Sequence, residues 1–163
     1  MTESDGLQFA WRVHAALDSW TAKVDTKASI SLAIETAVLG FIISLSGSEG
    51  PLSHLRGTDL ALYRVGLTLI GVAVLLVLAV VFPQLNRRGA RRDWKNKMIY
   101  FGHLRHWDVG ILTKALQEES PRYEQLAAQL VQMSKIAWRK HVWLQWSLSV
   151  LVLGGLCVAI TGF

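Results

Sequence analysis

The chain has 163 residues, of which 52% are hydrophobic and only 18% are charged, against roughly 25% charged residues in an ordinary soluble domain. Two runs, 65–86 and 142–163, contain no charged residue, and each matches the roughly 20 residues that a helix needs to cross a bilayer. This bunching argues against a soluble globular enzyme. The single cysteine, Cys157, excludes an intramolecular disulfide framework and a multi-cysteine zinc site.

The predicted elements form an all-α integral membrane protein with three transmembrane helices and a small helical cytoplasmic region between the second and third. We interpret residues 1–163 as a single domain. In chain order, its parts are an amphipathic cytoplasmic helix at 4–27, spans at 28–46 and 60–83, a cytoplasmic helical insert at 84–141, and a span at 142–163.

The N-terminal helix carries an apolar stripe with helical spacing, formed by Phe9, Val13, Leu17, Trp20 and Val24. The stripe fits either packing against the cytoplasmic part of the same protein or an interfacial helix lying on the bilayer, and we favour packing. The helix is expected to run directly into the first span. Its acidic start, with Glu3 and Asp5, differs from the short basic front end of a secretory signal, so we expect no cleavage.

The insert is predicted to contain two helical segments. Asp108 can cap a short helix that runs through about Gln117. A later helix has no breaker before Gly154 and is therefore expected to continue from the insert into the third span; its apolar-face residues are Leu126, Leu130, Met133, Ala137 and His141.

The formal net charge is +5, and the basic residues cluster in the segment NRRGARRDWKNK after the second span. A nucleic-acid partner and the orientation signal of a cytoplasmic loop both fit this charge, and we favour the orientation signal, with no nucleic acid as partner. The N-terminus and the insert are then cytoplasmic, and the C-terminus is outside.

Glu35 lies within the first span, where a carboxylate is costly unless it faces protein or water or carries a proton. One interpretation is a pore, gate or proton-linked residue. The other is a protonated or hydrogen-bonded packing residue between helices, and the candidate partners are Thr36, Gln145 and Ser149.

Two further segments could contribute to a ligand pocket. Asp25 and Lys27 lie where the first helix meets the membrane, as interfacial anchors or as one wall of a pocket. The aromatic stretch 99–103 follows the basic run, and such a surface suits an anionic nucleotide: charge for the phosphate and a ring for the base. Packing of the insert explains the same aromatic residues without a ligand.

Enzyme signatures are sparse. The chain has no GK[ST] phosphate loop, no G-x-S-x-G and no H-E-x-x-H, so we expect no catalytic residues, no cofactor and no enzymatic activity. His103 and His106 are three residues apart, but we interpret them as solvated or packing histidines and expect no metal site.

Three segments together resemble the transmembrane effector family of Pycsar antiphage systems. They are VDTKASISLAIETAVLGF at 24–41, IYFGHL at 99–104, and SKIAWRKHVWLQWSL at 134–148. The order of these segments, on a three-span architecture, is that of the family.

The resemblance implies a membrane effector that senses cyclic CMP or cyclic UMP, made by a partner cyclase on infection, and then impairs the inner membrane in abortive infection. It implies a single membrane-effector domain in the bacterial inner membrane, in contact with the lipid bilayer. Because three helices from one small chain enclose little space, a pore needs several copies, and we therefore expect a homo-oligomer. The motif positions that it implies in this sequence are Asp25, Lys27, Tyr100, Phe101, Gly102 and His103. Their predicted cytoplasmic placement and their aromatic and basic character lead to the hypothesis that these residues bind the ligand. Two other functions stay open from the residues: an ion channel or transporter subunit, with Glu35 at the pore, and a membrane-anchored binding module.

Overall fold

A computed structural model describes residues 3–47, 54–82, 106–117 and 122–161, together with the single residues 50, 52, 99 and 104. Within these residues the fold is entirely helical. The helices are α1 (Glu3–Leu45), α2 (Gly57–Val81), α3 (Val109–Gln117) and α4 (Arg122–Thr161). The all-α prediction is confirmed.

Three of these helices, α1, α2 and α4, are long and apolar enough to cross a membrane. The prediction of an all-α membrane protein with three spanning helices is confirmed. α1 and α4 have 43 and 40 residues, so at about 1.5 Å per residue each is roughly twice as long as the hydrocarbon core is thick. The prediction that each of these helices runs without a break into its span is also confirmed.

The chain divides into two compact units. The first, residues 1–21 and 83–138, includes α3, and Asp108 caps this helix as predicted: its Oδ1 accepts a hydrogen bond from the Gly110 amide at 2.9 Å.

The apolar stripe at the start of α1 is only partly buried. Leu17 is buried in the first unit, but Phe9 is 63% exposed. Trp20 is also exposed, so the predicted packing stripe is wrong at these two aromatic positions.

The second unit, residues 22–82 and 139–163, contains the most apolar part of each long helix, and we call it the membrane unit. One core cluster joins Val24 and Ala28 of α1 to Val77 and Val80 of α2 and to Leu144 of α4. A second cluster consists of Ile42, Tyr63, Ile70 and Val158. Early α1 residues therefore meet late α2 residues, so these two helices are antiparallel, as successive spans must be.

The buried positions of the membrane unit are three or four residues apart on α2, and three, four or seven residues apart on α1 and α4. They form what we call the buried seam: Val24, Ala28, Ser31, Glu35 and Ile42 on α1; Tyr63, Gly66, Ile70, Ala73, Val77 and Val80 on α2; and Lys140, Leu144, Ser147, Gly154 and Val158 on α4. Intervals of three, four and seven residues keep to a repeat of about 3.5 residues, which is typical of helices that pack with a left-handed supercoil.

Candidate functional site

Three polar side chains of the buried seam, together with one backbone carbonyl group, form a cluster between its two apolar core clusters. Glu35 and Ser147 are fully buried, and Ser31 is 7% exposed. The Ser31 hydroxyl lies 3.0 Å from Glu35 Oε1, and the Ser147 hydroxyl lies 2.7 Å from the same oxygen. Ser147 Oγ is also 2.9 Å from the carbonyl oxygen of Ala73. We call these four residues the polar cluster, and it joins α1, α4 and α2.

The predicted partners of Glu35, which were Thr36, Gln145 and Ser149, are wrong. Thr36 is exposed and donates to carbonyl oxygens of its own helix, and Ser149 donates to the Gln145 carbonyl one turn earlier on α4. Gln145 itself is exposed. Since successive helix residues are about 100° apart, none of the three lies on the same face as the buried seam. The hydrogen-bonded packing interpretation of Glu35 fits these contacts, with Ser31 and Ser147 as partners.

A second polar contact lies next to the core cluster that contains Val24 and Leu144, on residues adjacent to it along α1 and α4. Lys140 Nζ donates to Asp25 Oδ1 at 2.5 Å, and the side chains of Lys140 and Asp25 are 10% and 42% exposed. A nearly buried ammonium group requires a partner, and Asp25 provides it. Asp25 is among the site residues predicted from the sequence, but Lys140 is not, although Lys140 continues the seam spacing through Leu144 and Ser147.

The remaining predicted site residues are only partly placed. Lys27 is exposed on α1, two residues after Asp25. Tyr100, Phe101, Gly102 and His103 lie outside the described residues, so the ligand pocket stays a prediction. Among the described residues, no group of three His, Cys, Asp or Glu side chains has a metal-binding arrangement.

One known protein family matches this chain. The model of the Pycsar effector protein domain, PycTM, matches residues 9–163. The chain belongs to the Pycsar effector family. The match covers α2 and most of α1, as well as α3 and α4, so it confirms the resemblance carried by the three sequence segments.

Membership of this family makes the protein a multi-pass membrane protein of antiphage defence. The Pycsar effector domain is not known as an enzyme family. Neither the curated proteins nor the solved structures include a match to the chain. The family match thus carries the functional assignment, and the geometry of the membrane unit adds the contacts that join its three helices.

Proposed function

We propose that the protein is the membrane effector of a bacterial cyclic-nucleotide defence system, which senses cyclic CMP or cyclic UMP and then impairs the inner membrane. The match of the Pycsar effector domain to residues 9–163 carries this proposal. The outcome is abortive infection: the cell stops before phage mature. The protein acts without catalysis, because the signal is bound and the response is a change in the membrane.

The ligand site in this proposal combines Asp25 and Lys27 with the motif Tyr100, Phe101, Gly102 and His103. An exposed ammonium group such as that of Lys27 suits the nucleotide phosphate, and aromatic rings suit the base. An unpaired carboxylate at Asp25 would repel the phosphate. Its ion pair with Lys140 supports the proposal because the pair cancels this charge next to Lys27.

Membrane damage in this proposal requires more than one copy of the chain. In a single chain the three spans pack on each other along the buried seam, where Glu35, Ala73 and Ser147 are all inaccessible. Three helices enclose too little space for a pore, so we propose a homo-oligomer in contact with the lipid bilayer. The nucleotide drives the change only if it binds the rearranged state more tightly than the packed state.

The proposed location is the bacterial inner membrane, with the N-terminus and the segment between α2 and α4 in the cytoplasm and the C-terminus outside. The basic residues of NRRGARRDWKNK support this orientation by the positive-inside rule. The orientation also puts Lys27 and residues 100–103 on the side where a cyclase would deliver its product.

Equilibrium dialysis of the full chain in lipid nanodiscs tests the sensing step separately from membrane damage. Each of cyclic CMP, cyclic UMP, cyclic AMP and cyclic GMP is offered in turn. We expect saturable binding of one pyrimidine nucleotide and no binding of the two purine nucleotides. A chain that binds neither pyrimidine nucleotide would refute the sensing role and favour a membrane-anchored binding module.

Replacing Lys27 by Ala is expected to weaken nucleotide binding by about tenfold to a hundredfold. The loss of one charge-assisted hydrogen bond to phosphate costs roughly 1.5–3 kcal/mol, and each 1.4 kcal/mol is a factor of ten in affinity. Tyr100→Ala should also lower the affinity, through loss of the stacking ring. The same dialysis measures both variants.

Lys23→Ala is the matched control, because Lys23 is an exposed lysine one turn earlier on α1. Its affinity should stay within a factor of two of the wild-type value. If the Lys27→Ala and Tyr100→Ala variants both insert in the membrane and bind the nucleotide normally, the proposed site is wrong.

A further inference from the structure

The polar cluster contains three short contacts between oxygen atoms, but its two serines carry only two hydroxyl hydrogens. Oε1 of Glu35 lies within hydrogen-bond distance of two hydroxyl oxygens, at 3.0 Å from Ser31 and 2.7 Å from Ser147. The Ser147 hydroxyl has a third contact, at 2.9 Å from the Ala73 carbonyl oxygen. Each serine hydroxyl carries one hydrogen, and a carbonyl oxygen carries none. Three separate hydrogen bonds therefore need three hydrogens, and the two serines provide two of them.

A proton on Glu35 supplies the missing hydrogen. Ser31 then donates to Oε1, the acid O–H donates to Ser147 Oγ, and the Ser147 hydroxyl donates to the Ala73 carbonyl. With an ionised Glu35, the single hydrogen of Ser147 would have to be shared between Glu35 Oε1 and the Ala73 carbonyl oxygen, and each of these two contacts would be weaker than a separate hydrogen bond. The neutral acid is the form that satisfies all three contacts.

The second carboxyl oxygen points to the same form. Glu35 Oε2 is buried and has no hydrogen-bond partner among the described residues. In a membrane-spanning helix an ionised carboxylate with an unpaired buried oxygen is far more costly than a neutral carboxyl group, whose carbonyl oxygen is only a polar acceptor.

Among the described residues of these three helices, no cation lies close enough along its helix to offset a negative charge on Glu35. The neighbouring ionisable residues are at least six residues from Glu35, Ala73 or Ser147 on their own helix, about 9 Å along the helix axis. They are Asp25 and Lys27 on α1, Tyr63 and Arg64 on α2, and Lys140, His141 and Cys157 on α4. Lys140 is paired with Asp25.

We infer that Glu35 is a proton-binding site of the packed membrane unit, and that the bound proton links all three spans through Ser147. The hydrogen-bonded chain runs from α1 to α4 to α2, so the proton contributes to the register of the bundle. This inference is independent of nucleotide sensing, because it depends only on the contacts of the polar cluster.

Infrared spectroscopy of the full chain in lipid bilayers at neutral pH tests the inference directly. A protonated carboxylic acid has a carbonyl stretch above the amide I band, whereas a carboxylate absorbs below it. We expect an acid band in the wild-type spectrum that Glu35→Gln removes. Ser147→Ala should shift this band to higher frequency, because the acid loses its hydrogen-bond acceptor.

Ser149→Ala is the matched control, since Ser149 is exposed on the same helix and donates to its own helix. It should leave the acid band unchanged. Labelling wild-type protein with ¹³C-glutamate gives a test without substitution, because the acid band must then move to lower frequency. An acid band that does not move, or a Glu35→Gln variant that loses carboxylate absorption instead, would overturn the inference.

Discussion

Gly154→Ala is expected to destabilise the membrane unit by about 1–3 kcal/mol, the usual cost of extra volume in a packed core. The neighbouring Gly155→Ala substitution should change the stability by less than about 0.5 kcal/mol. Thermal unfolding in the same detergent, followed by circular dichroism, measures both variants.

The large effect is expected because α2 and α4 come into backbone contact at this point. A Cβ atom on Gly154 would lie 2.8 Å from the carbonyl oxygen of Gly66 and 2.8 Å from a side-chain carbon of Ile70. A backbone oxygen cannot move aside without shifting its helix. Small residues that let two helices approach this closely are a common device of membrane proteins. Gly155 has no atom within 4 Å of such a Cβ.

The reciprocal pair on α2 provides an independent control. A Cβ on Gly66 would lie 2.8 Å from the Gly154 carbonyl oxygen, whereas Gly71 has nothing within 4 Å. Gly66→Ala should therefore resemble Gly154→Ala, and Gly71→Ala should resemble Gly155→Ala. Equal melting temperatures for the Gly154 and Gly155 variants would contradict the packing of α2 on α4.

Breaking the ion pair between Asp25 and Lys140 should have the second large effect. Removing one partner of a buried pair costs roughly 3–5 kcal/mol, and the partial exposure of Asp25 reduces the expected loss to about 1–3 kcal/mol. Asp25→Ala is the more damaging change because it leaves the nearly buried Lys140 ammonium without its partner. Thermal unfolding of the full chain measures this loss.

A double-mutant cycle separates the pair from its surroundings. Lys140→Met keeps an unbranched side chain of similar length, and the double variant Asp25→Ala with Lys140→Met should regain most of the stability that Asp25→Ala loses. Lys135→Ala, at an exposed position on the same helix, should change the stability by less than about 0.5 kcal/mol. Additive losses in the double variant would show that the two charges do not interact.

Much of the fold followed from the sequence, because the signals for a span are strong and local. Charge-free runs of about 20 residues predicted the second and third spans, and Asp108 predicted the start of α3. The absence of a helix breaker before Gly154 predicted the continuous α4. Each of these predictions depends on one segment and its own neighbours along the chain.

The partners within the membrane unit were harder to predict, because they depend on which face of each helix turns inward. Glu35 was predicted as a candidate site residue because it is an ionisable residue within a span. Its predicted partners Thr36 and Ser149 are also polar in the sequence, but they lie outside the buried seam. Ser147 was missed. Its signal was the spacing of three and four residues that connects Lys140, Leu144 and Ser147, in a segment so apolar that its periodicity is weak.

The same difficulty explains the error in the N-terminal helix. Large aromatic residues recur there with helical spacing, but the inward face passes through Leu17 and Val24, while Phe9 and Trp20 are exposed. A helix that is apolar on several faces does not identify its packing face by composition alone.

The central claim is that a cyclic pyrimidine nucleotide triggers membrane damage by this protein. Leakage from dye-loaded liposomes that contain the inserted full chain tests it most directly, with cyclic CMP, cyclic UMP, cyclic AMP and cyclic GMP added in turn. We expect leakage with one pyrimidine nucleotide and none with the other three, and we expect the Lys27→Ala variant to need about tenfold to a hundredfold more nucleotide for the same leakage. Leakage without any nucleotide would indicate an unregulated channel, and no leakage with any of the four would contradict the proposed function.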